Sequence, residues 1–117
     1  MAWYPCNVAS GGGGGTEVEY IKGTLIPNTY INSSGAAVSY NGWSATDFIE
    51  VTAGETINVA SSFNSSYNCW YDSGKNKITT FSPELGYNSM TVPTGAAYVR
   101  FSESDSKMDH FQVWRDL

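Results

Sequence analysis

The chain has 117 residues, of which 41% are hydrophobic, so it is long enough for one packed domain and too apolar to be disordered. Its net charge of -5, with only six Lys and Arg, leaves no basic patch to neutralise nucleic-acid phosphates or to form a polybasic membrane anchor. No apolar run approaches the roughly 20 residues of a membrane-spanning helix. We therefore expect neither nucleic acid nor a membrane among its partners.

The first fifteen residues differ in composition from the rest. Residues 1–10 lack a charged start followed by an apolar stretch, so no signal peptide is predicted and synthesis in the cytoplasm is expected. Residues 11–15 are five consecutive glycines, whose backbone entropy predicts a flexible linker after an N-terminal tail. A single domain is predicted over residues 16–117.

Within that domain, short β-type runs alternate with turn residues, and no segment has a sustained 3.6-residue apolar period. Asn41-Gly42 predicts a turn after one run, and residues 73–76 predict a hairpin. The pattern predicts an all-β fold, an antiparallel, jelly-roll-like β-sandwich of eight or nine strands. The runs are 18–26, 36–40, 47–51, 55–60, 68–72, 77–81, 89–92, 96–101 and a closing strand that begins near Phe111.

Nothing in the sequence favours an enzyme. His110 is the only histidine, it lies beside Asp109, and no Gly-x-Ser-x-Gly motif accompanies it. Cys6, Cys69 and His110 lack the spacing of zinc ligands, and two cysteines do not make a disulfide framework. We therefore predict no catalytic residue and no cofactor.

The carboxylates leave two interpretations open. Loop acids beside Asn residues and backbone carbonyls suit a structural calcium ion better than a glycosidase pair, although no Asp-x-Asp-x-Asp loop is present. The alternative is that these acids are solvated or cap turns by accepting backbone N–H groups. The acids concerned are Asp47, Glu50, Glu55, Asp72, Glu103, Asp105 and Asp109.

The aromatic residues point to a binding surface. Four Trp, eight Tyr and five Phe make up 15% of the chain, more rings than a small core can hide. Flat rings suit sugars because the apolar C–H face of a pyranose stacks on them, while amides and carboxylates satisfy the hydroxyls. The aromatics in or next to predicted turns are Tyr30, Tyr40, Trp43, Tyr67, Trp70 and Tyr87, together with Asn41, Asn68, Asn76 and Asn88.

Strand alternation selects one predicted site. If Cys69 faces the core, then Trp70 shares the outer face with Asn68 and Asp72, one ring flanked by an amide and a carboxylate. Trp43 and Arg100 extend this predicted ligand-binding face. The alternative is that Trp70 plugs the sandwich and that Asp72 caps the Ser73-Gly74 turn.

The middle of the chain, over about residues 36–102, resembles a recurring β-sandwich domain of bacteriophage and prophage tail or fibre proteins and of gut-bacterial surface proteins. It is similar to galactose-binding-like and carbohydrate-binding-module jelly rolls. The residues that carry the resemblance are 42–51 (GWSATDFIEV), 54–57 (GETI), 70–73 (WYDS) with Lys75 and Lys77, and 92–102 (VPTGAAYVRFS).

The resemblance implies a non-enzymatic virion structural protein that binds a host-surface glycan. Its expected location is a virion or a cell surface, and other virion proteins or further copies of itself are expected partners. Two alternatives remain: a carbohydrate-binding module of a bacterial surface protein or enzyme, and a decoration protein with no ligand.

Overall fold

The computed structural model describes residues 17–61, 67–82 and 86–116. The predicted tail, residues 1–10, and the predicted glycine linker, residues 11–15, lie outside the described residues. The described chain forms eleven strands and one short 3₁₀ helix. The strands are β1 Val18–Tyr20, β2 Leu25–Ile31, β3 Ala37–Thr46, β4 Ile49–Glu50, β5 Thr56–Ser61, β6 Asn68–Tyr71, β7 Lys77–Phe81, β8 Gly86–Thr91, β9 Tyr98–Arg100, β10 Ser102–Ser104 and β11 Gln112–Asp116, with the 3₁₀ helix at Asp105–His110.

All strand pairs are antiparallel, and the predicted all-β, sandwich-like class is confirmed. There are more strands than the eight or nine predicted because one run divides and one strand lies outside the predicted runs. The run 18–26 is interrupted over residues 21–24, where Gly23 has a φ of 72°, so β1 ends at Tyr20 and β2 begins at Leu25. The run 96–101 is followed, after Phe101, by the additional strand β10.

The strands form three sheets. Sheet one has the order β1-β11-β5-β8, sheet two β10-β3-β2 and sheet three β4-β9-β6-β7. Sheets two and three meet at Phe101, which separates β9 from β10. Its carbonyl oxygen accepts from the Thr46 N–H at 2.9 Å, and its own N–H donates to Thr46 Oγ1 at 3.0 Å. These bonds satisfy the backbone where the chain passes from one sheet to the next.

The main core lies between sheets one and three. The sequence places Ile57, Val59, Val99 and Phe101 in the interior by strand alternation, and the structure confirms this because all four have no exposed surface. The other buried members of this cluster are Ile49, Val51, Trp70, Val92, Ala96, Phe111 and Val113.

A second buried cluster lies between sheets two and three. Ile31 and Ala45 from sheet two pack with Cys69 and Tyr71 of β6. Trp70, which points the opposite way along the same strand, belongs to the main core. Every residue of β6 is therefore buried, because each face of the strand meets a different cluster.

The Asn41-Gly42 pair is not a turn between strands, and that prediction is wrong. Residues 41 and 42 lie inside β3. Pro27 pairs with Ser44 and Thr29 with Ser39, so the single residue Asn28 of β2 lies opposite residues 40–43. This is a β-bulge of four residues against one, larger than the usual two against one, and positive φ angles at Asn28 (53°) and Gly42 (91°) accommodate it.

Two ionisable side chains of the second cluster, Tyr71 and Cys69, are expected to make the folded state less stable at high pH. The Tyr71 hydroxyl donates to the Gly35 carbonyl oxygen at 2.7 Å. Burial, with nearby Cys69, raises the pKa of Tyr71 above its ordinary 10.0, and burial raises the pKa of the Cys69 thiol above 9.0. The folded state therefore holds both protons more tightly than the unfolded chain. This stabilisation is complete below the unfolded pKa values and decreases as the pH rises past them.

We expect the urea midpoint to fall between about pH 9 and pH 11, where the unfolded chain loses these protons. Tyr71→Phe should make this fall shallower, since one of the two groups is removed. A midpoint that stays constant over that range would contradict the assignment.

Candidate functional site

The residues predicted to form a shared outer face are placed differently by the structure. Trp70 is 5% exposed, and its ring stacks on Phe81 with a centroid distance of 4.9 Å. Asn68 is 2% exposed: its side-chain amide donates to the Phe81 carbonyl oxygen at 3.2 Å and its Oδ1 accepts from the Ser102 N–H at 3.0 Å. The prediction that Trp70 and Asn68 lie on an exposed face is therefore wrong. Both faces of β6 are covered.

Asp72 and Arg100 are also held by contacts within the protein: Asp72 by its own turn, and Arg100 by Thr46 and Phe48. Asp72 Oδ1 accepts from the backbone N–H groups of Gly74 and Asn76, each at 2.9 Å, as the turn-capping interpretation expects. Arg100 is buried, its Nε donates to the Thr46 carbonyl oxygen at 2.9 Å, and its guanidinium carbon lies 4.5 Å from the Phe48 ring centroid. The structure does not bring these side chains together with Trp70 on one open surface.

Trp43, the fifth predicted site residue, lies in an aromatic cluster at the surface. Its ring centroid is 5.3 Å from that of Tyr67, which is 5.0 Å from Tyr30, which in turn is 5.4 Å from Tyr40. Each pair is arranged edge to face, the orientation that aromatic quadrupoles favour. We call this group the aromatic cleft, because the four rings line a cavity of about 250 Å³.

The β-bulge accounts for the position of the cleft. Tyr40 and Trp43 are the first and last of the four residues of β3 that lie opposite Asn28. Tyr30 follows on β2, and Tyr67 directly precedes β6. The bulge therefore carries two rings to the same place as two rings from other parts of the chain. All four residues are candidates from the sequence because they lie in or next to predicted turns. No sequence pattern, however, predicts that the four rings lie together.

The cleft is open to solvent, and its four described lining residues are all aromatic. Tyr40 is 55% exposed and Tyr67 39% exposed, whereas Trp43 and Tyr30 are half-buried. The four side chains supply ring faces, three phenolic hydroxyls and one indole N–H. At about 250 Å³ the cavity is just below the roughly 300 Å³ at which pockets for drug-sized ligands begin. Its size suits one sugar-sized ring.

Two of the predicted loop acids accept hydrogen bonds from nearby backbone N–H groups. Asp47 Oδ1 accepts from the Phe48 N–H at 2.8 Å, and Glu55 Oε2 accepts from the Thr52 N–H at 2.7 Å. Arg115 Nε also lies 3.2 Å from Glu55 Oε1. The backbone contacts of Asp47 and Glu55 match the interpretation of these two acids as turn caps, whereas Glu103 of β10 is buried rather than solvated. Over the described ranges, no three His, Cys, Asp or Glu side chains are grouped so that they could hold a metal ion.

Comparison of the chain with protein-family models, with curated proteins and with solved structures finds no match in any of the three. In the part of the chain that the structure describes, no helix has the length and apolar character needed to cross a membrane.

Proposed function

We propose that this protein is a non-enzymatic binding module whose aromatic cleft binds a surface glycan. The observation that carries the proposal is the convergence of Tyr30, Tyr40, Trp43 and Tyr67 on one open cavity. An exposed aromatic cluster exposes apolar surface to water, and such patches on small domains commonly mark binding sites.

The chemistry of the cleft favours a carbohydrate. The C–H face of a pyranose packs on an aromatic ring, and the hydroxyls at its edge find donors and acceptors in the three tyrosines and the indole. None of the described lining residues is charged. Together with the net charge of -5, this favours neutral sugars over uronic or sialic acids, which the field of the protein would repel.

The proposed setting is a virion or a bacterial surface. It rests on the sequence resemblance to phage and prophage tail or fibre domains, carried by residues 42–51 and 92–102. Other virion proteins or further copies of this chain are its proposed assembly partners. Immunogold labelling of induced phage particles would test this setting: label on the particles supports it, and label confined to the bacterial envelope would instead support a carbohydrate-binding module of the bacterium.

A glycan array probed with the purified protein tests the binding activity. We expect retention on a small set of neutral glycans, with signal lost in Tyr40→Ala and kept in Ile78→Ala, a matched change at an exposed apolar residue that does not line the cleft. An array with no sugar preference, together with binding only to virion proteins, would identify a decoration protein and contradict the proposal.

A further inference from the structure

A row of side chains crosses the outer face of sheet one. Tyr20 of β1 pairs with Trp114 of β11, Trp114 pairs with Asn58 of β5, and Asn58 pairs with Ser89 of β8. Directly paired residues of antiparallel strands share a face. The neighbouring Val113 faces the main core, so the row faces away from it.

Tyr87, two residues before Ser89 on β8, lies across this row. Its ring stacks on Trp114 with a centroid distance of 5.7 Å and an interplanar angle of 28°. Trp114 is 3% exposed and Tyr87 64% exposed. One face of the Tyr87 ring therefore covers the indole, and the other faces solvent.

The Tyr87 ring is fixed at its outer end as well. Its hydroxyl donates to Asn58 Oδ1 at 3.1 Å and lies 3.0 Å from Ser89 Oγ, which itself donates to Asn58 Oδ1 at 2.8 Å. A ring held by stacking and by its hydroxyl loses little conformational freedom when a ligand packs on it. Tyr87 is one of the aromatics that the sequence places beside a predicted turn, and no sequence pattern connects it to Trp114.

We infer that the exposed face of Tyr87, on the same sheet face as Tyr20 and Ser89, is a second carbohydrate contact, a flat platform for one neutral hexopyranose of a longer glycan. This inference rests on the proposed function. The flat ring can stack on the C–H face of the sugar. The Ser89 hydroxyl lies at the edge of the Tyr87 ring, 3.0 Å from the Tyr87 hydroxyl. The platform is separate from the aromatic cleft, whose strands β2 and β3 belong to sheet two.

The size of the platform favours a sugar over a protein partner. A stable protein interface buries about 800 Å² on each side, whereas a whole aromatic side chain offers only about 150–250 Å². The exposed large hydrophobic residues of the described sheet-one strands are Tyr20 and Tyr87. Two partly exposed rings fall well short of an interface and match one or two sugar units.

The indole N–H signals of the four tryptophans can test the platform and the cleft separately in one ¹H–¹⁵N NMR titration. Trp114 reports on the platform, Trp43 on the cleft and Trp70 on the core. The probes are methyl β-D-glucopyranoside and methyl β-D-galactopyranoside at millimolar concentration. We expect the Trp114 signal to shift saturably with at least one probe while Trp70 stays in place.

Matched variants assign the shift. Tyr87→Ala should weaken the affinity read at Trp114 by about tenfold or more, because it removes the stacking face. Tyr87→Phe keeps the ring and should weaken the affinity less. Tyr40→Ala should leave the Trp114 titration unchanged, since Tyr40 belongs to the cleft.

The outcomes separate the two proposals. A Trp43 shift without a Trp114 shift keeps the cleft and overturns the platform, whereas the reverse result keeps the platform and overturns the cleft. A Trp114 shift that persists unchanged in Tyr87→Ala overturns the platform. So does a Trp114 signal that moves with protein concentration alone, because that result would assign the face to a second copy of the chain.

Discussion

Trp70→Ala is expected to lower the free energy of unfolding by about 3–5 kcal/mol, the usual cost of deleting a buried Trp or Phe side chain. Trp70 is 5% exposed, stacks on Phe81 and belongs to the main core with Val99 and Phe101. Domains of this size are typically stable by only about 5–15 kcal/mol, so the loss is a large fraction of the total. Urea denaturation followed by far-UV circular dichroism would measure it.

Ile78→Ala is a suitable control, because Ile78 lies on the neighbouring strand β7 and is 36% exposed. Its cost should be well below that of Trp70→Ala, since Ile78 is smaller than Trp70 and already about a third exposed, whereas Trp70 is 5% exposed. A Trp70→Ala protein with an unchanged urea midpoint that no longer bound its glycan would restore the site predicted from the sequence and contradict the burial described above.

The error at Trp70 shows what strand alternation can and cannot predict. Alternation separates two faces of a strand, and it identifies the buried face only where the other face meets solvent. For Ile57 and Val59 of β5 it gave the correct face. For β6 it gave an outer face that does not exist, because sheet two covers Cys69 and Tyr71 while sheet one covers Trp70. The presence of a third sheet depends on long-range pairing, which no local pattern encodes.

The cleft illustrates a second limit. Asn41-Gly42 was predicted to be a turn, but the positive φ of Gly42, 91°, instead accompanies a bulge inside β3. The same dipeptide chemistry serves a hairpin turn and a β-bulge, and the choice depends on which strand lies opposite. Only the pairing with β2 shows that residues 40–43 bulge outward together. The rings of the site could therefore be identified from the sequence, but only the register of β2 against β3 shows how the bulge brings them together.

Sequence patterns predicted the structure correctly where the contacts join residues that are close together in the chain. The hairpin over residues 73–76 is present, with β6 paired to β7 on either side of it. Asp72 accepts from Gly74 and Asn76 within four residues of itself, which the turn-cap interpretation anticipated. Trp114 alternates with the buried Val113 on β11, but the tyrosines that cover it come from strands β1 and β8, far away in the sequence.

Tyr40→Ala is expected to weaken binding of the glycan selected on the array by at least about tenfold, because Tyr40 supplies one wall of the aromatic cleft. Its side chain is 55% exposed, so the change should lower the free energy of unfolding mainly through the lost edge-to-face contact with Tyr30, about 0.5–1.5 kcal/mol. Isothermal titration calorimetry gives the affinity, and urea denaturation of the same samples gives the stability.

Two further variants identify which part of Tyr40 acts. Tyr40→Phe keeps the ring and removes the hydroxyl, so it should retain most of the affinity if stacking on the sugar face dominates. Trp43→Phe should weaken binding while keeping an aromatic contact to Tyr67, which lies 5.3 Å from the Trp43 ring. Glycan affinity equal to that of the wild-type protein in both Tyr40→Ala and Trp43→Phe would show that the ligand binds elsewhere, because these residues form opposite ends of the chain of rings around the cleft.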